Sequence, residues 1–582
     1  MDPLTQVKKA LADSISHALA RQGIEVEPSS LEISDRTQKA FGDLSTTIVM
    51  KAASSAGKDP VRTAEGVAAS LPKHEMIRRV EAVRGYLNFF IEWDRFAPSV
   101  VSEILQRGRD FGRPETSPGT LVLEHTSVNP TGPINIARSR NSLLGDSLSR
   151  IYAYMGWKVR RLYLLNDMGH QIVVLYWGQR KGISSERLRK RYAKYSSKKD
   201  FQTLFTYVPA MAKVAEDPNA RAEVGELESA AHKDPKILGA LRSLSKGCLE
   251  GQLQTLSRLG IEFDEITPES QFVEDGSLPG ILSRLRSKGL LLENPDGSVG
   301  LDLTSLGLPR RKSRQVTLIK SDGSSTYTLR DIAYHEWKFR DGSLFVNVLG
   351  EDHKREFAEL DAILRMLGHS KDLRAAFYSF VTYEGGKKMS TRRGQTVPLD
   401  EVMDEAIRRS EKEVLDRRTG LPPDKIASIA AQVGLGAVKF NILKVDPNKS
   451  ISFRWEEAIN FVGDSSAYVQ YACARASSIL RNAEGFKPER IDLLSTAEER
   501  NLIWSLARTP GIIARSANDM KPNYLAEHAL EVSSLFSKFY MQHRVLQEAE
   551  PLRSARLALV KSVRTVLSQL LDLLGIAAPD EI

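Results

Sequence analysis

The sequence contains very little cysteine, with only Cys248 and Cys473 among its 582 residues. Two distant cysteines form neither a disulfide framework nor a cluster of metal ligands, so a reducing, cytoplasmic location and no protein-bound metal are predicted. The sequence also lacks a run of about 20 apolar residues, and it therefore predicts no membrane span. The first residues mix charged and apolar side chains, which favours an amphipathic helix over a signal peptide.

The composition is that of a large globular protein with an excess of positive charge. Hydrophobic residues make up 41% of the chain and charged residues 27%. A single hydrophobic core rarely extends over 582 residues, so three or four domains are expected. The formal net charge is +9 and the pI is about 9.2, which favours a polyanionic partner without requiring one.

A βαβ unit is predicted in the second hundred residues. Residues 120–123 form a short apolar strand, and a second strand runs from Val159 to Leu165. Between the strands, apolar residues recur at helical spacing, namely Leu144, Leu148, Ile151 and Met155. Gly156 then suits a C-terminal helix cap. The turn after the first strand, 124–138, is polar, and open parallel sheets bind ligands at such turns with phosphates near the helix N-terminus.

A compact run of cations and hydroxyls lies between glycines at residues 385–394. Its side chains include Lys387, Lys388, Met389, Ser390, Thr391, Arg392 and Arg393. Glycine permits close approach of a ligand, and Lys and Arg donate charge-assisted hydrogen bonds to phosphate. A solvated basic loop would have the same composition. The polar turn at 124–138 shifts the interpretation towards a polyphosphate site made by both segments.

The two segments together resemble the paired signatures of class I aminoacyl-tRNA synthetases, and their surroundings resemble arginyl-tRNA synthetases. The motifs that carry the resemblance are Ser127 to Pro133, Leu165 to Gly169, Thr326 to Ala333, Tyr468 to Arg475, and the ending Leu573 to Pro579. They occur in the family's order over nearly the whole chain, which is far more specific than either short signature. The resemblance therefore guides the expectations that follow.

The resemblance implies an α/β protein in three parts. An α+β domain that contacts the tRNA D-loop would occupy residues 1–115. A Rossmann-type nucleotide-binding catalytic domain would occupy 116–395, with a helical insertion at about 180–258. An all-α anticodon-binding bundle would occupy 396–582.

The resemblance also implies an arginine–tRNA ligase. L-arginine would react with ATP to give arginyl-adenylate and pyrophosphate, and the arginyl group would pass to the 3′ end of tRNA(Arg). Mg²⁺ would be carried by the ATP phosphates rather than by a protein cage. The chain would work as a monomer, without a membrane, and would need bound tRNA before it activates arginine.

The first signature departs from the family pattern, which is usually His-x-Gly-His. Here the four positions are Asn135, Ile136, Ala137 and Arg138, so both phosphate-binding histidines are replaced. Asn135 still carries an amide donor, and Arg138 is a permanent cation with a forked set of donors. Because one lost transition-state donor costs about 2.7–4 kcal/mol, the departure puts catalytic power in doubt.

Roles in catalysis and nucleotide binding follow from the resemblance. The catalytic residues would be Asn135, Arg138, Lys388, Ser390 and Arg392, and the ATP-binding residues would be Ala137, Gly350, Asp352, His353, Lys387 and Met389. Gly350 follows an apolar strand and permits close approach, and Asp352 can accept hydrogen bonds from ribose hydroxyls. His353 would fit a structural role equally well. Thr391 stands where the second signature usually ends in lysine.

Recognition of a guanidinium calls for carboxylates in a forked arrangement. By resemblance, Glu124, Tyr327 and Asp331 bind the guanidinium, Asn129 holds the α-amino end, and Glu269 is a further contact. Tyr327 and Asp331 are four residues apart and share a face if they are helical. Each acid taken singly could equally form a surface ion pair, but together, within family motifs, they favour a ligand role.

Two segments resemble tRNA-contacting regions of the family. Asn88 and Phe89 lie in a predicted strand, 84–91, where a base could stack, although core packing would also explain the aromatic residues. In the C-terminal region, the predicted anticodon residues are Tyr468, Gln470, Tyr471 and Arg475. Helical spacing places Tyr468, Tyr471 and Arg475 on one face, where Tyr468 also suits a core position.

A basic tract lies within the predicted insertion and comprises Arg187, Arg189, Lys190, Arg191, Lys194, Lys198 and Lys199. It fits either a solvated helix face or a contact with the tRNA backbone, since neutralising phosphates needs only clustered cations.

Two rivals accompany the ligase prediction. A tRNA-binding paralogue that lost its activation chemistry would also carry an altered first signature. A third interpretation, a class I synthetase for another amino acid, would fail if arginine were charged well and the other amino acid poorly.

Overall fold

Five parallel strands form the central sheet, with an α+β unit before it and a bundle of helices after it. The computed structural model describes residues 2–35, 42–303, 315–383, 397–417, 420–454, 456, 463–483 and 485–582.

The helices span the following residues: α1 Pro3–Arg21, α2 Ile48–Ser55, α3 Pro60–Ser70, α4 Trp93–Arg107, α5 Ile136–Tyr154, α6 His170–Arg180, α7 Glu186–Arg191, α8 Lys199–Glu216, α9 Pro218–Ala231, α10 Pro235–Arg258, α11 Gln271–Glu274, α12 Ser277–Ser287, α13 Tyr327–Lys338, α14 Lys354–Met366, α15 Leu399–Arg417, α16 Pro423–Leu443, α17 Ser466–Arg481, α18 Ala497–Asp519, α19 Asn523–Gln542 and α20 Leu552–Leu573.

The strands span the following residues: β1 Ser34–Asp35, β2 Leu44–Thr46, β3 Ile77–Val83, β4 Tyr86–Ile91, β5 Thr120–Glu124, β6 Lys158–Leu165, β7 Glu265–Pro268, β8 Leu291–Glu293, β9 Val299–Asp302, β10 Gln315–Ile319, β11 Leu344–Gly350, β12 Asp372–Tyr378, β13 Val381–Tyr383 and β14 Ile451–Phe453.

The central sheet has the strand order β12-β11-β5-β6-β7, and every neighbouring pair is parallel. From β5 the chain moves outward in one direction through β6 and β7, and it then returns to place β11 on the other side of β5. The order therefore reverses between β5 and β11. In open α/β sheets, ligands bind at the carboxyl ends of the strands at such a switch point.

Four helices begin at an Asp-Pro pair. In each, the aspartate side chain accepts a hydrogen bond from a backbone N–H of the first turn, and the proline takes the first helical position. The aspartate caps a donor that would otherwise be unsatisfied, and proline has the backbone angle of that position already fixed. The pairs are Asp2-Pro3 in α1, Asp59-Pro60 in α3, Asp217-Pro218 in α9 and Asp234-Pro235 in α10.

The N-terminal unit packs α2 and α3 against an antiparallel sheet of order β1-β2-β4-β3, and α1 packs against α3 and α4. The predicted apolar stripe of α1 is buried, at Val7, Leu11, Ile15 and Leu19. The strand predicted over 84–91 begins only at Tyr86. Arg84 and Gly85 form the turn between β3 and β4, with φ of +52° and +84°, and such a turn suits glycine and strains arginine.

The N-terminal unit is fixed to the C-terminal bundle through aromatic and charged contacts. The ring of Trp93 lies 5.8 Å from Phe96 and 6.2 Å from Trp504 of α18. Arg508 of the same helix pairs with Asp35 at 2.9 Å. The two ends of the chain therefore meet on one side of the molecule.

The C-terminal region is helical from α15 to α20, apart from the short strand β14, which pairs with β13. Helix α16, which the sequence analysis did not single out, is long and apolar enough to span a membrane by length and composition. Its most apolar 18 residues have a mean hydropathy of 1.5, and 67% of them are buried inside the protein. Such burial is that of a core helix.

The predicted helical insertion at 180–258 contains α7 to α10. The predicted boundary at 395 falls outside the described residues.

Candidate active site

A cavity of about 390 Å³ opens at the switch point, between the turn after β5 and the end of β11. Its lining includes Asn129, Asn135, Ala137, Arg138, Gln171, Tyr207, Gly350, Asp352, His353 and Tyr378. The sequence signals at 124–138 and 350–353 therefore meet in space, as the topology of the sheet requires.

The turn after β5 is held in an unusual backbone conformation. Thr126 and Ser127 have φ of +70° and +39°, in the left-handed region that non-glycine residues rarely adopt. The Ser127 hydroxyl accepts a hydrogen bond from the Leu164 N–H at 3.0 Å and donates to Glu124 Oε1 at 3.3 Å. The strain, about 1–3 kcal/mol per residue, is thus held by contacts that also orient Glu124.

Tyr163 and Gln252 hold the rest of this turn from beneath. The Tyr163 hydroxyl donates to the Val128 carbonyl at 2.9 Å and accepts from the Val128 N–H at 3.1 Å. Gln252 Nε2 donates to the Gly132 carbonyl at 2.8 Å. Burial raises the pKa of the Tyr163 hydroxyl well above its usual range, so it remains a donor.

His125, at the start of the turn, is a structural residue. It is 1% exposed, its Nδ1 lies 2.9 Å from Thr126 Oγ1, and its ring packs 4.7 Å from Phe263. Burial, with a smaller effect of the Arg161 charge, lowers the pKa of the ring to about 3, so the ring is neutral. Gly145 of α5 allows this packing, because a Cβ there would lie 2.2 Å from the ring.

The altered first signature forms the N-terminus of α5. Asn135 is the N-cap, and its side-chain oxygen accepts from the Arg138 N–H at 3.0 Å. Arg138 is exposed in the first turn and lines the cavity. Its guanidinium forms no hydrogen bond or ion pair with the residues that the structure describes, so it is available for an anion.

The residues that follow the second signature are joined to the first. The Ile136 N–H donates to the Val397 carbonyl at 3.0 Å, and the Leu399 N–H donates to the Ile134 carbonyl at 2.8 Å. The predicted residues Lys387, Lys388, Met389, Ser390 and Arg392 lie outside the described residues.

Of the predicted nucleotide residues, Ala137 lies in α5, and Gly350, Asp352 and His353 line the cavity from the end of β11. Gly350 ends β11, and Asp352 and His353 follow it with exposed side chains. Glu351, which lies between Gly350 and Asp352, accepts a hydrogen bond from Ser379 Oγ at 2.7 Å.

The predicted guanidinium residues lie at the carboxyl end of β5 and in the first half of α13. Glu124 ends β5 with its side chain 12% exposed, and Asp331 lies on α13 with its side chain 44% exposed. Tyr327 is one turn before Asp331 on the same helix, so the predicted shared face is confirmed. Asn129 lies in the turn, where its amide donates to Gln171 Oε1 at 3.1 Å.

The structure gives Glu269 a partner within the chain, which alters its predicted role. Glu269 is 6% exposed, and its Oε1 accepts from Arg330 Nε at 2.6 Å. The Arg330 guanidinium also lies 4.8 Å from the centre of the Tyr327 ring. The Glu269 carboxylate is therefore already paired with a guanidinium of the protein itself. Because Arg330 belongs to α13, this ion pair holds the helix in place.

Three polar residues behind the acidic pair were missed by sequence reasoning. Lys338, His335 and Asn347 connect Glu124 to Asp331 through hydrogen bonds. Two signals were present in the sequence. Lys338 and His335 stand seven and four residues after Asp331, on one helical face, and Asn347 interrupts an otherwise apolar strand.

Three regions of the chain match known families in order. Residues 6–91 match the arginyl tRNA synthetase N terminal domain, residues 100–455 match the class I (R) tRNA synthetase catalytic domain, and residues 469–582 match the DALR anticodon binding domain. The chain belongs to the arginyl-tRNA synthetase family.

The synthetase is similar along nearly its whole length to archaeal arginine–tRNA ligases. It is 36% identical over 572 residues to that of Methanocella arvoryzae, covering 97% of this chain and 98% of the relative. It is 33% identical over 593 residues to that of Methanocaldococcus jannaschii, covering all of both chains.

The solved structure of Thermus thermophilus arginyl-tRNA synthetase superposes with a TM-score of 0.82 at 27% identity, covering 99% of this chain and 100% of the other. The predicted enzyme class and three-part fold are confirmed.

The C-terminal helix α17 of the synthetase presents a polar aromatic surface. Tyr471 is 45% exposed, and its hydroxyl accepts from Arg475 Nη2 at 2.9 Å. The Arg475 guanidinium also lies 4.9 Å from the centre of the Tyr540 ring. Tyr468 is half-buried, and its hydroxyl lies 3.2 Å from Ser537 Oγ.

Gln470 does not share this surface, which corrects its predicted tRNA contact. Its side chain is fully buried, and its Nε2 donates to the carbonyls of Ala577 at 2.9 Å and Gln432 at 3.3 Å. Gln470 thus fastens the C-terminal segment to the bundle.

In the N-terminal unit, Phe89 is fully buried in the core beneath the sheet, and Asn88 is 3% exposed on the opposite face. The Phe89 ring has no face left for a base, so core packing replaces the stacking role that was predicted. The carbonyl oxygen of the Asn88 side chain has no hydrogen-bond partner within the described part of the chain.

The basic tract divides into structural and exposed cations. Lys194 pairs with Asp404 at 2.5 Å and Lys198 with Asp400 at 2.9 Å, which joins the insertion to the start of α15. Neither a purely solvated face nor a tRNA contact describes these two lysines. Lys194 remains exposed despite its pair, and the other exposed cations of the tract are Arg187, Arg189, Lys190, Arg191 and Lys199, of which Lys199 pairs with Glu250.

Proposed function

We propose that the synthetase binds L-arginine and ATP together in the cavity at the switch point, forms arginyl-adenylate there, and transfers the arginyl group to the 3′ end of tRNA(Arg). The observation that carries this proposal is that one cavity is lined both by Asn129, from the amino-acid side, and by Arg138 and His353, from the nucleotide side. The arginine carboxylate and the α-phosphate must meet, and a shared cavity allows them to do so.

The amino-acid side recognises a planar cation. Glu124 and Asp331 would accept hydrogen bonds from the guanidinium, Tyr327 would pack beside it, and Asn129 would hold the α-amino end. Burial alone would raise the pKa of the Asp331 carboxyl, but its contact with His335 and the charge of Lys338 outweigh burial and lower the pKa. Asp331 is therefore ionised when arginine binds.

The nucleotide side stabilises phosphate charge. Arg138 would bind the reacting phosphate in place of the missing histidines, with Asn135, Lys388, Ser390 and Arg392 as further donors. Ala137, Gly350, Asp352, His353, Lys387 and Met389 would hold the nucleotide. Mg²⁺ would enter with the ATP phosphates as part of the substrate.

No covalent enzyme nucleophile is needed in this reaction. A carboxylate oxygen of arginine attacks the α-phosphorus, and pyrophosphate leaves. The protein contributes position and preorganised charge.

The tRNA would contact the two ends of the chain. Tyr471 and Arg475, with Tyr468 beside them, would meet the anticodon loop, whose bases can stack on exposed aromatics. The D-loop would meet the N-terminal unit at residues other than the buried Asn88 and Phe89, and the exposed cations of the basic tract would neutralise the tRNA backbone. The enzyme would act in the cytoplasm as a monomer, with domains at 1–115, 116–395 and 396–582.

A charging assay tests the proposal directly. Purified protein with arginine, MgATP and tRNA(Arg) is expected to form arginyl-tRNA with one AMP released per arginine attached. Lysine in place of arginine, and omission of ATP, serve as controls. Folded protein that binds tRNA(Arg) but neither charges it nor forms adenylate would favour the inactive paralogue, to which the Asn-Ile-Ala-Arg signature gives some support.

A further inference from the structure

A continuous chain of hydrogen bonds joins the two carboxylates assigned to arginine. Lys338 Nζ donates to Glu124 Oε2 at 2.8 Å and to Asn347 Oδ1 at 3.0 Å. Asn347 Nδ2 lies 2.8 Å from His335 Nε2, and His335 Nδ1 lies 3.0 Å from Asp331 Oδ1. The chain runs from the end of β5, across β11, to the middle of α13.

The chain permits only one assignment of its protons. Lys338 can only donate, so the Asn347 atom facing it must be the oxygen. The Asn347 amide nitrogen then faces His335 Nε2, which must accept. The His335 proton is therefore on Nδ1, where it is shared between the main-chain carbonyl of Asp331 at 2.9 Å and the Oδ1 of the same residue at 3.0 Å. A donor at each step is aimed from the lysine towards Asp331.

The linking residues of the chain are buried, whereas the carboxylate of Asp331 is only partly buried. The side chain of Lys338 is 1% exposed, His335 is 1% exposed and Asn347 is 4% exposed. The Asp331 side chain is 44% exposed. A buried ammonium and a buried amide without partners would be costly, so each link holds its neighbours in place.

The ion pairs around the pocket leave one negative charge. Lys338 balances Glu124, and Arg330 balances Glu269 at 2.6 Å. Asp331 faces the neutral His335 ring and forms no ion pair with a lysine or arginine in the described part of the chain. The site thus carries an excess charge of about −1, which one guanidinium would neutralise.

We propose that Lys338, Asn347 and His335 are positioning residues that fix the direction and charge of Glu124 and Asp331 for recognition of the arginine side chain. This inference rests on the proposed function, because it takes the two carboxylates as the guanidinium site. None of the three touches the reacting atoms. Their loss should therefore weaken arginine binding and leave the chemical step intact.

The test measures steady-state charging with Lys338→Met and Asn347→Leu. Each variant should raise the arginine KM about tenfold to hundredfold, the size of one charge-assisted hydrogen bond. The kcat and the KM for ATP should stay near wild-type values. Lys338→Arg, which keeps the cation, should lie closer to wild type than Lys338→Met. Lys371→Met is the control, since Lys371 is exposed and lies directly before the edge strand β12, at the amino end of the parallel strands.

A double variant separates a connected chain from independent effects. If the hydrogen bonds of Lys338 and Asn347 depend on each other, the double variant should raise the arginine KM by clearly less than the product of the two single effects. Circular dichroism would detect misfolding, and if Lys338→Met does not fold, the nearly isosteric and uncharged Asn347→Leu carries the test.

An unchanged arginine KM in both folded variants, or a fall in kcat with every KM constant, would overturn the positioning role. Failure of the wild-type protein to charge arginine would instead count against the proposed function.

Discussion

Replacing Arg138 with alanine tests whether this side chain has taken over phosphate binding from the missing histidines. Arg138 is exposed in the first turn of α5, lines the cavity, and has no partner among the described residues. Its removal should therefore change the stability of the fold by no more than about 0.5 kcal/mol. If its guanidinium stabilises the transition state, the activation rate should fall about 10²–10³-fold, or about 2.7–4 kcal/mol.

The assay is arginine-dependent pyrophosphate exchange in the presence of tRNA(Arg), with ATP varied at saturating arginine. Arg138→Lys keeps the charge but loses the fork and should fall between wild type and alanine. Arg138→His should restore part of the rate. Arg365→Ala is the control, because Arg365 is an exposed arginine at the far end of α14, paired with Asp361 at 2.9 Å.

Two outcomes would refute this reasoning. An unaffected exchange rate in Arg138→Ala would mean that the guanidinium does not reach the reacting phosphate. A rate loss matched by an equal loss of thermal stability would assign Arg138 to the helix rather than to ATP.

Further predictions concern the substrates and the fold. Asp331→Asn should raise the arginine KM about tenfold or more while the ATP KM stays constant; a normal arginine KM would remove Asp331 from the site. Tyr471→Ala should weaken binding of tRNA(Arg) without altering thermal stability, and equal affinity would contradict the anticodon role of α17. Pyrophosphate exchange should be negligible without tRNA and appear when tRNA(Arg) is added. Robust exchange without tRNA would contradict the prediction that arginine activation requires bound tRNA. The folded pKa of His125 lies near 3, below the unfolded value of about 6.5. Its contribution to stability should therefore fall by about 1.4 kcal/mol per pH unit as the pH drops from 6.5 towards 3. Denaturant titrations at several pH values should show that the free energy of unfolding depends less steeply on pH in His125→Gln than in the wild type. The same pH dependence in both proteins would mean that another group causes the acid sensitivity.

The βαβ unit could be predicted because local pattern and topology agree there. Apolar runs marked β5 and β6, helical spacing marked α5, and Gly156 follows the helix with φ of +88°, as a C-terminal cap requires. The apolar run from Leu344 predicted β11 for the same reason. The meeting of 124–138 with 350–353 then follows from the parallel sheet.

Burial of single polar or aromatic residues could not be predicted in the same way. Gln470 lies beside Tyr471 on one helix, yet only the tyrosine is exposed, because the C-terminal segment folds back over the other face. Phe89 alternates with Asn88 along β4, and the sequence does not say which face of the strand meets the hydrophobic core. Glu269 fits a ligand role until Arg330, distant in sequence, is brought to it.

The backbone bridge between the two signatures bears on how the chain can be altered by engineering. Val397 is hydrogen-bonded to Ile136 at the start of α5 and Leu399 to Ile134 just before it, and one residue later Asp400 is held by Lys198 and Thr255, both at 2.9 Å. Adding one residue between these anchors would displace one of them by about 3.3 Å and break its contacts. Surface loops tolerate such changes in length, whereas residues 397–400 do not. Insertions, tags and permuted termini should therefore be placed elsewhere, because residues 397–400 are fixed here beside the first signature.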